Sequence, residues 1–436
     1  MLVLWLCFNA ASFLRLGVWL DVVTWPLVWS TAFILLALYV FDIYASERFV
    51  SGVWAVSRSI TAVVVGGVLI SLFVYLSGLW GRHAVFGRGI FALTLILFLP
   101  WVAVSRYYSA NWARRYRQAT KWLVLGQGES VHQLYRDCRA SDTAAEFLAL
   151  HLDEAAVSSL PSPIGDIGEL ERIDLHGYAG VVLTKELTLD DTLAKQLMQY
   201  RMQGTRIYGL SDFYESLWHK VPVLHLHQGW FVFSQGFDLL HNPIGMRIKR
   251  MLDVVFASMA LVVMLPFILL LGLLIRLDSP GPAIYRQERK GENGCVFVLY
   301  KLRSMYVNRN GQDAKWTVRD DPRITRFGRF IRLFRLDELP QLINVIRGDM
   351  SFIGPRPEAK ELTSLYEREI PFYDLRYLVK PGITGWAQVM YPYGSSVEDA
   401  REKLQYALYY IKNYSLLLDL TILLKTLRVV LLGRGR

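Results

Sequence analysis

The chain has 436 residues, 53% of them hydrophobic, and its 48 Lys and Arg against 38 Asp and Glu give a net charge of +10. A mean hydropathy of +0.27 over this length excludes a disordered chain, because disordered chains are polar. Three widely separated cysteines exclude a small disulfide scaffold. Apolar character combined with positive charge favours a protein at a membrane surface.

Apolar runs near the N-terminus predict membrane helices. Trp25–Phe41, Ile60–Trp80 and Ile90–Val104 are each close to the length that crosses a hydrocarbon core of about 30 Å. Leu2–Leu20 is a fourth candidate, and it lacks the basic start and the cleavage site of a signal peptide. The Arg-rich flank that follows, Arg106–Trp122, belongs in the cytoplasm by the positive-inside rule.

The middle of the chain alternates strand and helix patterns. Trp122–Ser130 is typical of a strand followed by a glycine turn, and Tyr178–Glu186 and Gly204–Leu210 are typical of further buried strands. Leu189–Gln203, between the last two, has helical character. This alternation predicts a small α/β domain with a parallel, Rossmann-like sheet.

Three weak motifs in the same region carry little function. Gly126-Gln127-Gly128 begins like a dinucleotide fingerprint, but Val131 stands where the third glycine is needed, so a structural turn is favoured. His225 and His227 alternate on a strand-like run, and without a third ligand they are expected to be ordinary sheet residues. Nucleic-acid binding has no motif beyond charge, so no nucleic-acid partner is expected.

Val254–Ile275 is long enough to span the bilayer, yet basic residues flank both of its ends. Positive charge at both ends opposes a straight crossing, and Pro266 removes one backbone hydrogen bond in the middle. A helix–break–helix that enters and leaves by the cytoplasmic face fits both observations, and a tilted, kinked span is the alternative. The last apolar stretch, Ser415–Gly433, is broken by charged residues and predicts an interfacial helix.

Thr325–Gln341 carries an arginine at every third residue, and aromatic and aliphatic side chains fall on the other side. This spacing predicts a basic amphipathic helix at an anionic lipid surface. An Arg-rich solvated face on a core-packed helix is the alternative. The arginines are Arg326, Arg329, Arg332 and Arg335.

Asp337 and Glu338 follow the arginines directly. Adjacent carboxylates on a helix point about 100° apart, so one can attack as a nucleophile while the other holds a metal ion. Mg²⁺ prefers a few carboxylates plus substrate phosphates. The structural alternative is that Asp337 caps a helix starting at Glu338, with Pro340 in its first turn. The two readings are compatible, because a helix N-terminus favours a bound phosphate.

Basic residues and glycines near this pair predict a phosphate site. Arg356 lies between Pro355 and Pro357, and arginine forks bind phosphate bidentately. Lys380–Val389 is a Gly-Pro turn whose backbone could approach a ligand closely. The further candidate members of the site are Lys301, Arg303, Arg323, Arg332 and Arg347.

Residues Arg247 to Arg436 resemble the bacterial sugar transferases, also called monotopic phosphoglycosyl transferases. The ending YPYGSSVEDAREKLQYALYYIKN resembles the branch associated with exosortase-type exopolysaccharide systems, and the N-terminal spans and middle domain resemble the large form of the family. The shared motifs are KRMLDVV, LDSPGPAIYRQERKG, YKLRSM, DDPRITRFGRFIR, LDELPQLINVIRGDMSFIGPRPE and KPGITGWAQV.

This resemblance implies that a sugar 1-phosphate passes from a UDP-sugar to undecaprenyl phosphate, with release of UMP, as the initiating step of exopolysaccharide biosynthesis. Asp337 would be the nucleophile that becomes a phosphosugar-aspartate, and Glu338 would help to place Mg²⁺. Arg356 fits the phosphate-binding motif of the family, and Lys301 and Arg303 lie in another shared motif.

The fold expected from the residues and the resemblance together has three parts. A membrane α-helical bundle (1–105) precedes a cytoplasmic Rossmann-like α/β domain (106–242), and a mostly α monotopic transferase domain (243–436) follows. That domain contains a re-entrant membrane helix over 251–276, which breaks at Pro266. We expect the catalytic domain on the cytoplasmic face of the bacterial inner membrane, in contact with membrane lipids, and a homodimer paired through the middle domain is open.

Two other functions compete with this expectation. A non-catalytic membrane scaffold of a polysaccharide-assembly complex would have no need of Asp337, Glu338 or the GPRPE motif. A membrane-anchored, nucleotide-dependent oxidoreductase would use the Gly126 turn. Neither the hexose nor the role of the middle domain is readable from the residues.

Overall fold

The computed structural model describes residues 2–19, 25–40, 53–76, 88–119, 121–126, 129–141, 145–149, 170, 175, 178–184, 190–226, 228–237, 242–306, 321–391, 394, 396–431. The chain divides into two compact units, Met1–Ile207 and Tyr208–Arg436. Gly128, His227 and the part of the predicted span Ile60–Trp80 that follows Leu76 lie outside the described residues.

The first unit begins with four apolar helices: α1 (Leu2–Leu16), α2 (Trp25–Val40), α3 (Val53–Leu76) and α4 (Arg88–Ala119). Helix α3 lies between α2 and α4, and α1 packs on α4. The predicted helices are confirmed, but α4 continues through the Arg-rich flank that was expected to follow it. A helix can continue from an apolar stretch into a charged one because its backbone hydrogen bonds are made within the helix.

Three described helices are long and apolar enough to cross a membrane: Val56–Tyr75, Gly89–Ser109 and Pro243–Asp278. Leu2–Leu16 is apolar but shorter. The protein is therefore membrane-associated, and the number of N-terminal crossings stays a prediction.

A small four-stranded sheet follows the helices. Its strands are β1 (Lys121–Gly126), β2 (Ala145–Ala149), β3 (Tyr178–Leu183) and β4 (Ile207–Gly209), in the order β2-β1-β3-β4. Strand β1 pairs in parallel with both β2 and β3. The accompanying helices are α5 (Glu129–Ala140) and α6 (Asp191–Met202). The sequence did not predict β2, because AEFLA is short and contains no β-branched residue.

The second unit is built along helix α9 (Pro243–Asp278), which starts with Asn242 as its cap and Pro243 in its first turn. One helix runs through Pro266, where the sequence predicted two separated halves. Proline removes only one backbone hydrogen-bond donor, whereas a full break in the helix would leave several N–H and C=O groups without partners in apolar surroundings. The continuous helix therefore costs less.

The remaining elements of this unit are short. The helices are α7 (Leu210–Trp218), α8 (Gln228–Phe233), α10 (Arg326–Leu333), α11 (Gln341–Arg347), α12 (Lys360–Glu369), α13 (Trp386–Met390), α14 (Val397–Lys412) and α15 (Leu416–Leu431). The strands form an antiparallel hairpin of β5 (Ile284–Lys290) and β6 (Val296–Leu302), and a parallel pair of β7 (Ser351–Ile353) and β8 (Gly382–Thr384).

The described residues between Tyr208 and Phe237 belong to the second unit. Val221 is fully buried in the same core as Leu404, and its N–H donates to the carbonyl of Gln405. The strand expected around His225 is wrong: Val223–His225 is a 3-10 turn, and α8 follows it. The 3-10 turn packs on α14. This tertiary packing outweighed the alternating pattern that predicted a strand.

Candidate active site

The two carboxylates lie on a 3-10 turn between α10 and α11. Helix α10 ends at Leu333, so the continuous helix predicted over Thr325–Gln341 is wrong in extent. Arg335 adopts the left-handed conformation, with φ of 55°, and reverses the chain before the turn Leu336–Glu338. Pro340 then precedes the first turn of α11. Leu339, directly before Pro340, is itself in the helical region with φ of −53°, so the break lies at the left-handed Arg335.

Asp337 is not a helix cap. Helix α11 begins at Gln341 with Pro340 in the cap position, three residues beyond the start that the cap alternative required. Asp337 and Glu338 are instead buried, with exposed fractions of 8% and 7%. Burying two adjacent carboxylates is costly unless cations or a ligand compensate them.

Arg356 provides the direct compensation. Its Nη2 donates to Glu338 Oε1 at 2.7 Å, and its side chain stays 35% exposed. Arg356 lies just after β7, whereas Lys301 comes from β6, which contacts the Asp337 turn. Asn344 of α11 fixes β6 in place: its Nδ2 donates to the Val298 carbonyl at 2.7 Å, and its Oδ1 accepts from the Tyr300 N–H at 3.1 Å.

Glycines allow the Arg356 loop to lie against β8. A Cβ on Gly354 would sit 2.3 Å from the Lys380 carbonyl oxygen, and one on Gly382 would sit 2.1 Å from the Gly354 nitrogen. The Gly354 N–H donates to Thr384 O, and the Gly382 N–H donates to Pro355 O, both at 2.9 Å. The glycines of the KPGITG turn therefore bring backbone against backbone, where the sequence suggested close approach to a ligand.

The two carboxyl groups have opposite electrostatic environments. Burial, and then the adjacent Glu338 charge, raise the pKa of Asp337, with Lys301, Arg332 and Arg356 opposing. Burial alone would also raise the pKa of Glu338, but Arg356 and Lys301 hold it well below its usual range. Glu338 is thus the fixed anion of the pair, and Asp337 is the more basic carboxylate.

Lys301 is the third member of this electrostatic group. Burial, followed by the Arg356 charge, lowers the pKa of Lys301 to about 8, and Glu338 and Asp337 oppose that fall. Within the described part of the chain, no hydrogen bond is made to the Asp337 carboxylate, whereas Glu338 is held by Arg356. The site therefore presents one held carboxylate and one available carboxylate among several cations.

Several sequence-predicted members lie elsewhere. Arg303 is buried at the end of α9, where its Nη2 donates to the carbonyls of Ile275 at 3.2 Å and Ser279 at 2.5 Å. Its Nη1 donates to Pro280 O at 3.0 Å. A cation at a helix C-terminus satisfies carbonyls that the helix leaves open, so Arg303 acts as a cap.

Two other arginines are held by groups outside the site. Arg323 donates to the Asp321 carboxylate: its Nε lies 2.9 Å from Oδ1 and 3.1 Å from Oδ2, and its Nη2 lies 2.6 Å from Oδ2. This pairing lowers the pKa of Asp321 to about 2. Arg347 is exposed and donates to Tyr300 Oη at 2.7 Å. Around the two carboxylates the structure places Lys301, Arg332 and Arg356, and Pro355 and Pro357 lie in the loop that carries Arg356. Which of the arginines bind phosphate stays a prediction.

A family model described as bacterial sugar transferase matches residues 244–433. A UDP-glucose:undecaprenyl-phosphate glucose-1-phosphate transferase of Caulobacter vibrioides is 46% identical over 180 residues, which cover 41% of this chain and 67% of that protein. The chain belongs to the bacterial sugar transferase family.

Two further relatives extend the match. A UDP-N-acetylgalactosamine-undecaprenyl-phosphate N-acetylgalactosaminephosphotransferase of Aeromonas hydrophila is 42% identical over 270 residues, 61% of this chain and 62% of that protein. The exopolysaccharide production protein PSS of Rhizobium leguminosarum bv. phaseoli is 40% identical over 195 residues, 43% of this chain and 97% of that protein. The chain thus spans less than two thirds of the length of the Aeromonas relative.

Sequence reasoning missed three residues that support this site. Arg376 donates to the Arg356 carbonyl, and Arg289 donates to the Pro357 carbonyl at 3.1 Å. Glu358 lies near both arginines. Burial alone would raise the pKa of Glu358, but the two positive charges lower it. Glu358 ends the GPRPE motif and Arg289 lies in LDSPGPAIYRQERKG, and neither motif by itself indicates a contact with the Arg356 loop. No local pattern distinguished Arg376 from other arginines.

Proposed function

We propose that this protein transfers a sugar 1-phosphate from a UDP-sugar to undecaprenyl phosphate and releases UMP, as the initiating step of exopolysaccharide biosynthesis. The observation that carries the proposal is the buried Asp337 carboxylate, which has a raised pKa and lies beside a Glu338 that Arg356 already holds. The names of the Caulobacter and Aeromonas relatives support the donor and acceptor classes.

The proposed chemistry has two displacements. An Asp337 oxygen attacks the phosphorus that bears the sugar, and the bond from that phosphorus to the UMP oxygen breaks, so UMP leaves with its electron pair. A phosphate oxygen of the lipid then attacks the same phosphorus, and the bond to Asp337 breaks, which restores the carboxylate. Splitting the transfer lets one small site serve a soluble donor and a lipid acceptor in turn.

Each neighbouring residue has a separate task in this scheme. Burial strips water from Asp337 and leaves it more basic than an exposed aspartate, which favours attack. Lys301 and Arg356 offset charge on the transferring phosphate. Glu338 keeps Arg356 directed at the site through their 2.7 Å ion pair.

The donor set suits Mg²⁺ only with help from the substrate. The described residues contain no group of three or more His, Cys, Asp or Glu side chains that could hold a metal ion. Mg²⁺ commonly binds through one or two carboxylates plus substrate phosphates, and the adjacent Asp337 and Glu338 carboxylates fit that mode. We propose that Glu338 helps to hold Mg²⁺ brought with the diphosphate. The ion would polarise the phosphoryl oxygens.

Helix α9 supports a monotopic attachment. Its buried residues form one stripe along the helix, Asp253, Ala257, Ile268, Leu271 and Ile275. Both ends contact the same unit: Arg250 donates to the carbonyls of Val345 and Ile346, and Ser279 accepts from Arg303. The opposite face is apolar and exposed, for example at Val262 and Leu269. A straight crossing would place the two ends on opposite sides of the membrane.

We therefore propose that α9, although helical through Pro266, bends at this proline and re-enters, so that it holds the catalytic unit on the cytoplasmic face of the bacterial inner membrane. Leu416, Leu420 and Leu427 form an exposed apolar stripe on α15 that fits the same lipid surface. The four-stranded sheet of the first unit is proposed to be Rossmann-like, and pairing of two subunits through it remains a proposal.

The test is UMP release by the full-length protein in detergent or nanodiscs, with a panel of UDP-sugars. We expect release to require undecaprenyl phosphate and Mg²⁺ for turnover, and Asp337→Asn to abolish it. Asp374→Asn removes an exposed carboxylate elsewhere in the unit and serves as the matched control. Without lipid, intact mass should show a phosphosugar adduct on the wild type and none on Asp337→Asn.

Wild-type turnover by Asp337→Asn would exclude the nucleophile assignment. Absence of UMP release with every donor would favour the non-catalytic scaffold.

A further inference from the structure

The loop that carries Arg356 is held through its carbonyl groups. Pro355 and Pro357 have no N–H, so the carbonyls are the main groups through which this stretch can be anchored. Each of the three consecutive carbonyls accepts a hydrogen bond from a different element. The donors are the Gly382 N–H to Pro355 O, Arg376 Nη2 to Arg356 O, and Arg289 Nη1 to Pro357 O.

Arg376 is built into this arrangement as a rigid donor. It is only 7% exposed, and it lies on the 3-10 turn Tyr373–Leu378. Its Nη1 donates to Tyr373 Oη, and its guanidinium lies 4.7 Å from the centre of the Tyr373 ring. Tyr373 is itself 1% exposed. With donors committed on both sides and little exposure, Arg376 is poorly placed to touch a substrate.

Charge compensation supports the same reading. Glu358, two residues after Arg356, faces Arg376, Arg289 and Lys403, and these cations lower its pKa against the effect of burial. Arg289 also donates to Gln287 Oε1 at 2.6 Å, and its backbone bridges to Ala359 just beyond the loop. The buried cations behind the loop are therefore engaged with the loop and with Glu358.

We propose that Arg376 is a positioning residue, which acts on the transfer reaction by fixing the Arg356 backbone so that the Arg356 guanidinium reaches Glu338 and the transferring phosphate. This inference rests on the proposed function for its rate effect. Displacement of a site group by about 1 Å can cost on the order of 100-fold in rate, so the contact matters although it lies behind the site.

The test is a double-mutant cycle on kcat/KM for UMP release with Arg376→Lys and Arg356→Ala. Lysine keeps the charge near Glu358 but cannot span both the Tyr373 hydroxyl and the Arg356 carbonyl. We expect Arg376→Lys to lower kcat/KM by about 10- to 100-fold, and to add less than about twofold in the Arg356→Ala background. Multiplication of the two losses would overturn the proposal, because a merely structural defect acts independently of Arg356.

Arg368→Lys is the control, since Arg368 is 74% exposed and pairs with the neighbouring Glu369. If Arg376→Lys does not fold, Tyr373→Phe removes the hydroxyl that orients Arg376 and keeps the ring. We expect a smaller loss that is again not additive with Arg356→Ala, and full additivity would count against positioning.

A second cycle does not depend on activity. The coupling in unfolding free energy between Arg356→Ala and Glu338→Gln should shrink when Arg376→Lys is present. An unchanged coupling would reject the positioning role even if the wild type released no UMP. Absence of UMP release together with a reduced coupling would instead reject the proposed function alone.

Discussion

Gly354→Ala is expected to damage both stability and activity, although it adds one methyl group. The new Cβ would lie 2.3 Å from Lys380 O and 2.9 Å from Gly382 N, and both atoms belong to backbone. Ordinary contacts lie near 3.5 Å, so the loop must retreat by about 1 Å. Overpacking costs roughly 1–3 kcal/mol, and weakening the two 2.9 Å hydrogen bonds of Gly354 and Gly382 costs about 1 kcal/mol each.

A loss of roughly 3–5 kcal/mol in unfolding free energy follows, and kcat/KM should fall by about 10- to 100-fold because Arg356 moves with the loop. Chemical denaturation in detergent and the UMP-release assay measure the two effects. Gly272→Ala is the control: its nearest neighbour, Ala283 Cβ, would be 3.6 Å away, and alanine favours a helix interior. If Gly354→Ala had wild-type stability and kcat/KM, the close backbone approach would not govern the site.

Three further outcomes are expected. Arg303→Gln should lower stability by about 1.5–3 kcal/mol, with KM for the UDP-sugar unchanged, because Arg303 caps α9; a raised KM at wild-type stability would restore it as a substrate ligand. Val221→Ala should destabilise the protein by about 1–3 kcal/mol in denaturant melts, whereas Val232→Ala, at a side chain 74% exposed, should change stability by less than about 0.5 kcal/mol. The acid limb of the kcat/KM profile should lie above the ordinary aspartate pKa of about 3.9, because attack needs ionised Asp337 and burial raises its pKa. Arg332→Gln should move that limb to higher pH, since Arg332 lowers the pKa of Asp337, and a limb that moved down would contradict the assignment.

Several residues of the candidate site could be predicted from the sequence by their chemical type. Adjacent Asp337 and Glu338, and Arg356 between two prolines, stood out because each is an unusual local combination. Their shared location could not be read from spacing, since Lys301 reaches the carboxylates through the β6 strand and Asn344 of α11 holds that strand. The Asp337 turn itself depends on a left-handed Arg335, which no periodic pattern indicates.

The sequence by itself determined the classes of element. Apolar length predicts the N-terminal helices and α9, alternating patterns predict β1, β3 and α6, and dense motifs predict the transferase unit. The type of each helix or strand depends on how apolar residues are spaced along a short stretch of chain, and that spacing can be read from the sequence directly.

Only the tertiary structure decided what each arginine does. Arg303 caps a helix, Arg323 holds an aspartate, Arg347 packs on a tyrosine, Arg376 anchors a loop and Arg356 meets Glu338. The guanidinium group is the same in all five, and so is its capacity to donate. Its function is set by which acceptor the packing brings within about 3 Å, and that distance is a property of the folded chain.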